Sequence, residues 1–452
     1  MKGHICLKDL ANSERQNQSQ RRSSFRPSLL KTGLLICIAV LSMTGTAWAQ
    51  AGHLDPTFAN RGIFLLNSLG AEGGSTKVAL QKDGKIVFAA ASGDAQQLNN
   101  GIALVRLNTN GSPDTTFGTG GAVVFGVEHT VPVGVIIQLD GKIVVGSAAA
   151  QNSDGGFPLG LARFNPNGSV DSSFGTGGRV TSFSIRPAAL ALQPDGKILV
   201  TGSNAVARFD SNGQFDTTFG SGGQSALPFP GAAAIALQSD GKILIAGAPS
   251  FNPGGGVAGT IVRFDPDGTL DKTFGIFGQV ASVACGGTIG NTDTAVVSSI
   301  VLQADGKFIT AGTIASKLIN PPGSISTGFG LVRYDPNDSI DTSFGTAGGI
   351  LTNFGSTLNA TAFVLAIQGN GDIIAAGQAG SSLALSRYTS AGKLDATFGP
   401  GGTVTTSLGS NPSAISSLVL QSDGKIVAAG SIFSVDSAGF HAQAVVARYL
   451  AQ

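Results

Sequence analysis

Three short strings recur along this 452-residue chain, and any fold it adopts must repeat with them. Gln-x-Asp-Gly-Lys begins at Gln81, Gln138, Gln193, Gln238, Gln303 and Gln421, and a degraded copy, Gln-Gly-Asn-Gly-Asp, begins at Gln368. Arg followed by Leu, Phe or Tyr begins at Arg106, Arg163, Arg208, Arg263, Arg333, Arg387 and Arg448. Asp-x-x-Phe begins at Asp55, Asp114, Asp171, Asp216, Asp271, Asp341 and Asp395. Seven copies of each string imply a period of about 58 residues, which belongs to a solenoid, a propeller or an array.

The contents of the unit select among these. A short β-like stretch follows each Phe-Gly, as in Ala122 to Phe125, and a second apolar run ends at the Gln, as in Ile235 to Leu237. Asp-Gly then signals a two-residue hairpin of type I′, which needs positive φ at both central positions. A third run follows at once (Lys142 to Val145), and a fourth carries the Arg (Ile261 to Phe264). Third strands that are apolar at successive positions are buried on both faces, as sheets stacked face to face must be. Four strands per unit and no helical period predict an all-β, seven-bladed propeller of four-stranded blades. The spacing from Arg to Asp is the same in the six internal copies, whereas Arg448 lacks a following Asp and Asp55 a preceding Arg. The two ends are therefore expected to meet, with Asp55 to Phe58 filling the seventh junction.

These strings, as in Ala191-Leu192-Gln193-Pro194-Asp195-Gly196-Lys197-Ile198 and Val262-Arg263-Phe264-Asp265-Pro266-Asp267-Gly268-Thr269-Leu270-Asp271, resemble the bacterial delta-60 repeat. The resemblance covers nearly all of 54–450 and implies a β-propeller of unknown function, common in exported proteins. It brings no catalytic residues with it. Departures fall at Asn370-Asp372 in the sixth copy, at Asp338 for the turn Gly of the fifth, and at Ala59 after the first Phe.

The chain begins with a basic stretch, an apolar run from Leu34 to Met43 and the small-residue pattern Ala47-Trp48-Ala49. That order predicts a signal peptide over 1–49. The apolar run is shorter than the ~20 residues a spanning helix needs, so no membrane span is expected after cleavage. The propeller is then residues 50–452, exported to the periplasm, the cell surface or the medium. Cys285 would be its only thiol, so no internal disulfide is available. Losing the basic leader leaves a slight acidic excess, no footprint for nucleic acid.

Charges present in every unit serve the unit, so the Arg–Asp pairs read as structural ties between a strand end and the next junction. Turns such as Asp265-Pro266-Asp267-Gly268 place oxygens like a cation loop. Hard cations want several carboxylates, however, and only Glu72 and Glu128 remain among the glutamates after Ala49. No cofactor, metal or catalytic residue is expected. The alternative is a propeller enzyme, a lyase or hydrolase with a metal-assisted site, for which His129, His441, Glu128 and Cys285 would have to converge.

Strand order places the Asp-Gly turns and the junctions on one face. The other face carries loops of uneven length: minimal at Ser203-Asn204 and Ser381-Ser382, long at 91–101, 147–159, 248–259, 283–297, 313–329 and 431–443. Variable loops on a rigid scaffold are where binding residues gather. The candidate binding residues there are Glu72, Asp94, Glu128, Asp154, Asp293, Lys317 and Asp436, a mildly anionic set. Tyr334, Tyr388 and Tyr449 all belong to the strand motif, which disfavours sugar stacking. A non-catalytic binding or scaffolding module for a protein or cell-envelope partner suits this inventory.

Overall fold

A computed structural model describes residues 50–66, 75–92, 101–126, 130–148, 159–182, 185–251, 257–282, 294–317, 325–355, 359–436 and 439–452. The proposed signal peptide lies outside them. Within the compact unit Gln50–Gln452 the chain forms a seven-bladed β-propeller of four-stranded antiparallel blades. The first strand, β1 (Ile63–Leu65), belongs to the last blade. Blade one is β2 (Thr76–Leu80), β3 (Ile86–Ser92), β4 (Gly101–Leu107) and β5 (Ala122–Phe125), paired in that order. The innermost strands of successive blades neighbour one another around the ring, and Ser413–Leu420 of blade seven closes back on β2. Blades four and five are also joined by one parallel bridge, Val257 to Thr294.

The blade is offset by one strand from the unit read in the sequence. The strand after Phe-Gly pairs with the Arg strand that precedes it, so β5 edges β4 in blade one. The cause is the junction itself, which reverses the chain and leaves the next strand antiparallel to the last.

The Asp-Gly turns differ from the two-residue type I′ form. Gln81 N donates to Lys85 O at 2.9 Å and Gly84 N to Gln81 O at 2.9 Å, so the loop has three residues, Lys82-Asp83-Gly84. Only its Gly has positive φ, +80°. This is a type I turn finished by a left-handed residue that forms a bulge. Asp83 Oδ1 accepts from Lys85 N at 3.2 Å, which favours the right-handed conformation at Asp.

Apolar runs become cores because each inner sheet is covered twice. β3 and β4 are buried along their whole length. Val78, Phe88 and Val105 pack on Val427, Ala429 and Val446 of blade seven, whereas Val87, Ala89 and Leu104 pack on Val135 and Val145 of blade two. Burying an aliphatic or aromatic side chain stabilises by about 1.5–3 kcal/mol, so these interfaces dominate the fold. Among the described residues no helix is long and apolar enough to cross a membrane.

The ends meet as expected, and the match goes further than Asp55 to Phe58. In the junction after blade two, Gly168 N donates to Asn165 O at 2.9 Å and Asn165 N to Ser169 O at 2.8 Å. At the closure, Gly52 N donates to Leu450 O at 2.8 Å and Leu450 N to His53 O at 2.9 Å. One junction turn is thus assembled from both ends of the ring. β1 then adds to Gly439–Tyr449 as the outer strand of blade seven.

One turn position holds a left-handed residue other than Gly in three copies, Arg61, Phe277 and Ala347. The position occupied by Gly120, Gly177 and Gly222 has φ near +60°, with open space where a Cβ would sit. In blade four it is Phe277, at φ +54° and 80% exposed. A bulky side chain in the left-handed region costs about 1–2 kcal/mol, and this one has little packing to lose. Phe277→Gly is therefore expected to stabilise the protein by about 1 kcal/mol, read as a raised midpoint in thermal or urea unfolding. A lower midpoint would mean that the ring makes a contact worth more than the strain.

Candidate functional site

On the turn face, the repeated charges form one network in every blade. The Arg Nε donates to the motif Asp Oδ2 at 2.7–2.9 Å in all seven copies. The guanidinium lies over the motif Phe, 4.5–4.8 Å from the ring centre. It also donates to a turn carbonyl of the neighbouring blade: Arg163 to Ser211, Arg208 to Pro266, Arg333 to Ser390 and Arg387 to Ala451. Planar donors in a fixed fork suit this three-way contact. The remaining carboxylate oxygen, as Asp114 Oδ1, accepts from Thr116 N at 3.1 Å and Thr116 Oγ1 at 2.7 Å. Every group is engaged within the fold, and the pairs tie each strand end to the next junction.

Burial alone would raise the Asp114 carboxyl, but hydrogen bonds from Thr116 and Lys85 and the charge of Arg106 hold it well below the usual carboxylate range. The same balance acts on Asp171, Asp271 and Asp341. Burial also pushes the Tyr388 and Tyr449 hydroxyls up to about 12, against their bonds to Ser386, Thr352 and Thr406. The oxygens of the Asp265-Pro266-Asp267 turn are engaged too. Asp265 Oδ1 accepts from Lys242 Nζ at 2.7 Å, Pro266 O from Arg208, and Asp267 Oδ1 from Thr269 N at 2.8 Å. Between blades seven and one this face opens into a cleft of about 630 Å³. There Lys425 leaves Asp55 at 3.9 Å for Asp423 at 2.6 Å, so the cleft walls carry opposed charges.

The opposite face is uneven. In blade three the second and third strands, Ile198–Gly202 and Ala205–Phe209, have 5 residues each. In blade five, Phe308–Lys317 and Ile325–Tyr334 have 10 each, and in blade seven Ile426–Asp436 and Gly439–Tyr449 have 11 each. At about 3.3 Å per residue, the blade seven hairpin is roughly 20 Å longer than that of blade three. Blade six, with Ile373–Ala379 and Ser382–Tyr388, stays low between the two raised hairpins. Val435 near the tip of blade seven is 78% exposed.

Of the candidate binding residues, Lys317 ends the second strand of blade five and Asp436 that of blade seven, so both backbones lie at hairpin tips. Glu72, Asp94, Glu128, Asp154 and Asp293 lie outside the described residues, as do His129 and Cys285. His441 pairs with Ser434 on the blade seven hairpin, and His53 is exposed beside the closing turn. One residue escaped the sequence reading: Lys77, the only charge in any of the seven inner strands. Its signal was available as a lone Lys in an otherwise apolar or hydroxyl-bearing run before a motif Gln.

A family model describes the same class of fold. Residues 81–117, 138–174, 193–219, 238–274, 303–344 and 368–398 match a family model described as a domain of unknown function (DUF5122) beta-propeller. Among curated proteins, nothing matches the chain. Solved structures with a similar course include the polysaccharide lyase Uly1, at 12% identity and TM-score 0.46, covering 83% of this chain and 90% of the lyase. Drosophila Plexin A, solved in complex with Semaphorin 1b, aligns at 10% identity and TM-score 0.43, covering 88% of each chain. An α-L-arabinofuranosidase from Fusarium graminearum aligns at 10% identity and TM-score 0.43, covering 88% of this chain and 97% of that one. Six segments of this seven-bladed β-propeller, each carrying part of the shared Arg–Asp–Phe network, are thus similar to DUF5122 beta-propeller repeats.

Proposed function

We propose that this protein is an exported, non-catalytic recognition or scaffolding module that holds a protein or cell-envelope partner on its loop face. The observation that carries the reading is the elongation of the hairpins of blades five and seven on that face alone, on either side of low blade six. The repeated charges are consumed in holding blades together, which leaves residues outside the repeat to meet a partner. Strands extended beyond the ring give a rigid platform, and binding segments held by rigid elements are more precisely placed than free loops.

The test is affinity capture from cell-envelope extract on immobilised residues 50–452, beside a variant with both hairpins shortened to the blade six length. The variant is expected to keep the parent melting profile and to lose the captured partner at least tenfold. Equal retention on both columns, or none on either, would defeat the reading.

A further inference from the structure

Lys77 sits at the second position of β2, at the loop-face end of an inner strand, where the seven blades approach their common axis. The flanking residues of that strand show how its side chain runs. Val78 packs toward blade seven and Ala79 toward blade two, so Lys77 leaves the backbone on the blade two side. Its Nζ nevertheless donates to Ser416 O of blade seven at 3.3 Å. The aliphatic stem must therefore lie across the axial edge of β2, over the point where Thr76 N donates to Ser416 Oγ at 3.1 Å and Ser416 Oγ to Thr76 O at 2.8 Å. Ser416 is the bulged residue of its strand, between the pairs Ile415–Gly430 and Ser417–Ala429, which sets its carbonyl off the ladder.

That one carbonyl is the only partner found for the Lys77 amine among the described residues. The other lysines nearest the ring's repeated motif each reach a carboxylate, as Lys85 reaches Asp114 at 2.9 Å and Lys142 reaches Asp171 at 3.0 Å. Around the axis the inner strands of the other blades offer only apolar and hydroxyl side chains. Lys77 is half-buried and no carboxylate bonds it among the described residues. An ammonium in such a setting gives up its proton more readily than an exposed one, and lysines of that kind are the ones that form Schiff bases.

We propose that Lys77 is a covalent capture site for small aldehydes or ketones at the loop-face end of the ring axis. The neutral amine attacks the carbonyl carbon, its proton passes to the carbonyl oxygen, and the carbinolamine loses water to leave an imine. The step needs neither oxidant nor reductant. Desolvation brings the Lys77 amine down to about 8, so a sizeable fraction is the free base at neutral pH, whereas an ordinary lysine near 10.4 has almost none. The site does not depend on a partner between the raised hairpins.

The experiment is reductive trapping with glycolaldehyde and cyanoborohydride at pH 7.5 on the folded protein, with peptide mapping by mass spectrometry. Lys77 is expected to be labelled about tenfold or more ahead of Lys82, Lys272 and Lys393, all of which are more exposed. Its rate should level off above about pH 8–9 while theirs climb toward pH 10, and unfolding in urea should abolish its lead. Lys77→Arg, which keeps a cation for Ser416 O, should lose the fast label without a change in melting. Labelling of Lys77 no faster than Lys82, or a rate still climbing at pH 10, overturns the proposal.

Discussion

Removal of Gln50–Leu66 is expected to leave a chain that does not melt cooperatively. Three losses coincide. Phe58, fully buried against blade one, would vacate a core whose large-to-small changes cost about 3–5 kcal/mol. Arg448 would keep its buried place without Asp55, and breaking such a pair from one side costs about 3–5 kcal/mol. Blade seven would lose β1, exposing the backbone edge of Gly439–Tyr449 from Val445 to Ala447. Even half of that sum approaches the ~5–15 kcal/mol by which native domains are stable. Circular dichroism and thermal scans of the truncated chain provide the check. An unchanged, cooperative melt would refute closure by the N-terminal segment.

A circular permutant sharpens the same expectation. Because Leu450 and Gly52 already share one turn, joining Gln452 to Gln50 through a short linker and opening another junction should preserve the fold. Termini that lie close together are what make such permutation tolerable. A permutant that fails to fold while the parent folds would show that the closing turn is held by something other than the bonds described.

The second large effect concerns the motif carboxylates. Asp114→Ala is expected to destabilise by about 3–5 kcal/mol, because Arg106 stays buried and Lys85 nearby, both having lost their shared acceptor. Lys85→Met should cost less than about 1 kcal/mol, since its amine is partly exposed. Blade six supports that difference: Asp372 stands where other blades have Lys, and Arg387 still bonds Asp395 at 2.7 Å. Urea unfolding of both variants tests the ordering, and equal losses would contradict it.

Acid should act in the same direction on all seven copies. These carboxyls are depressed in the fold, so their stabilisation is complete above the unfolded value near 3.9 and is lost as pH falls through the folded values. Melting temperature should therefore be nearly level from pH 7 to about 5 and fall steeply below about 4. A melt that weakened between pH 7 and 5 would point to groups other than these.

What the sequence determined by itself is the periodic part of the molecule. Six Gln-x-Asp-Gly strings with one degraded copy, seven Arg strands and seven buried Phe residues require a ring of equivalent blades, because a four-stranded sheet apolar on both faces needs a neighbour on each. The orphaned Asp55 and Arg448 likewise required the ends to meet. Local strings could not show which strands pair across a junction, and so the blade frame emerged one strand away from the sequence unit. Nor could they distinguish a two-residue turn from a three-residue one, since both place Gly in the left-handed region and only hydrogen bonds between flanking residues separate them. Asp338 makes the same point in the fifth copy. There it takes φ +75° in place of Gly, and its carboxylate supplies the acceptor for Gly275 N that a turn carbonyl supplies elsewhere. The non-repeated features came from tertiary structure alone. Hairpin height depends on how far two strands keep pairing past a common start, and the setting of Lys77 depends on seven strands, distant in sequence, converging on one axis. Convergence of that kind is a property of ring closure, which no single repeat contains.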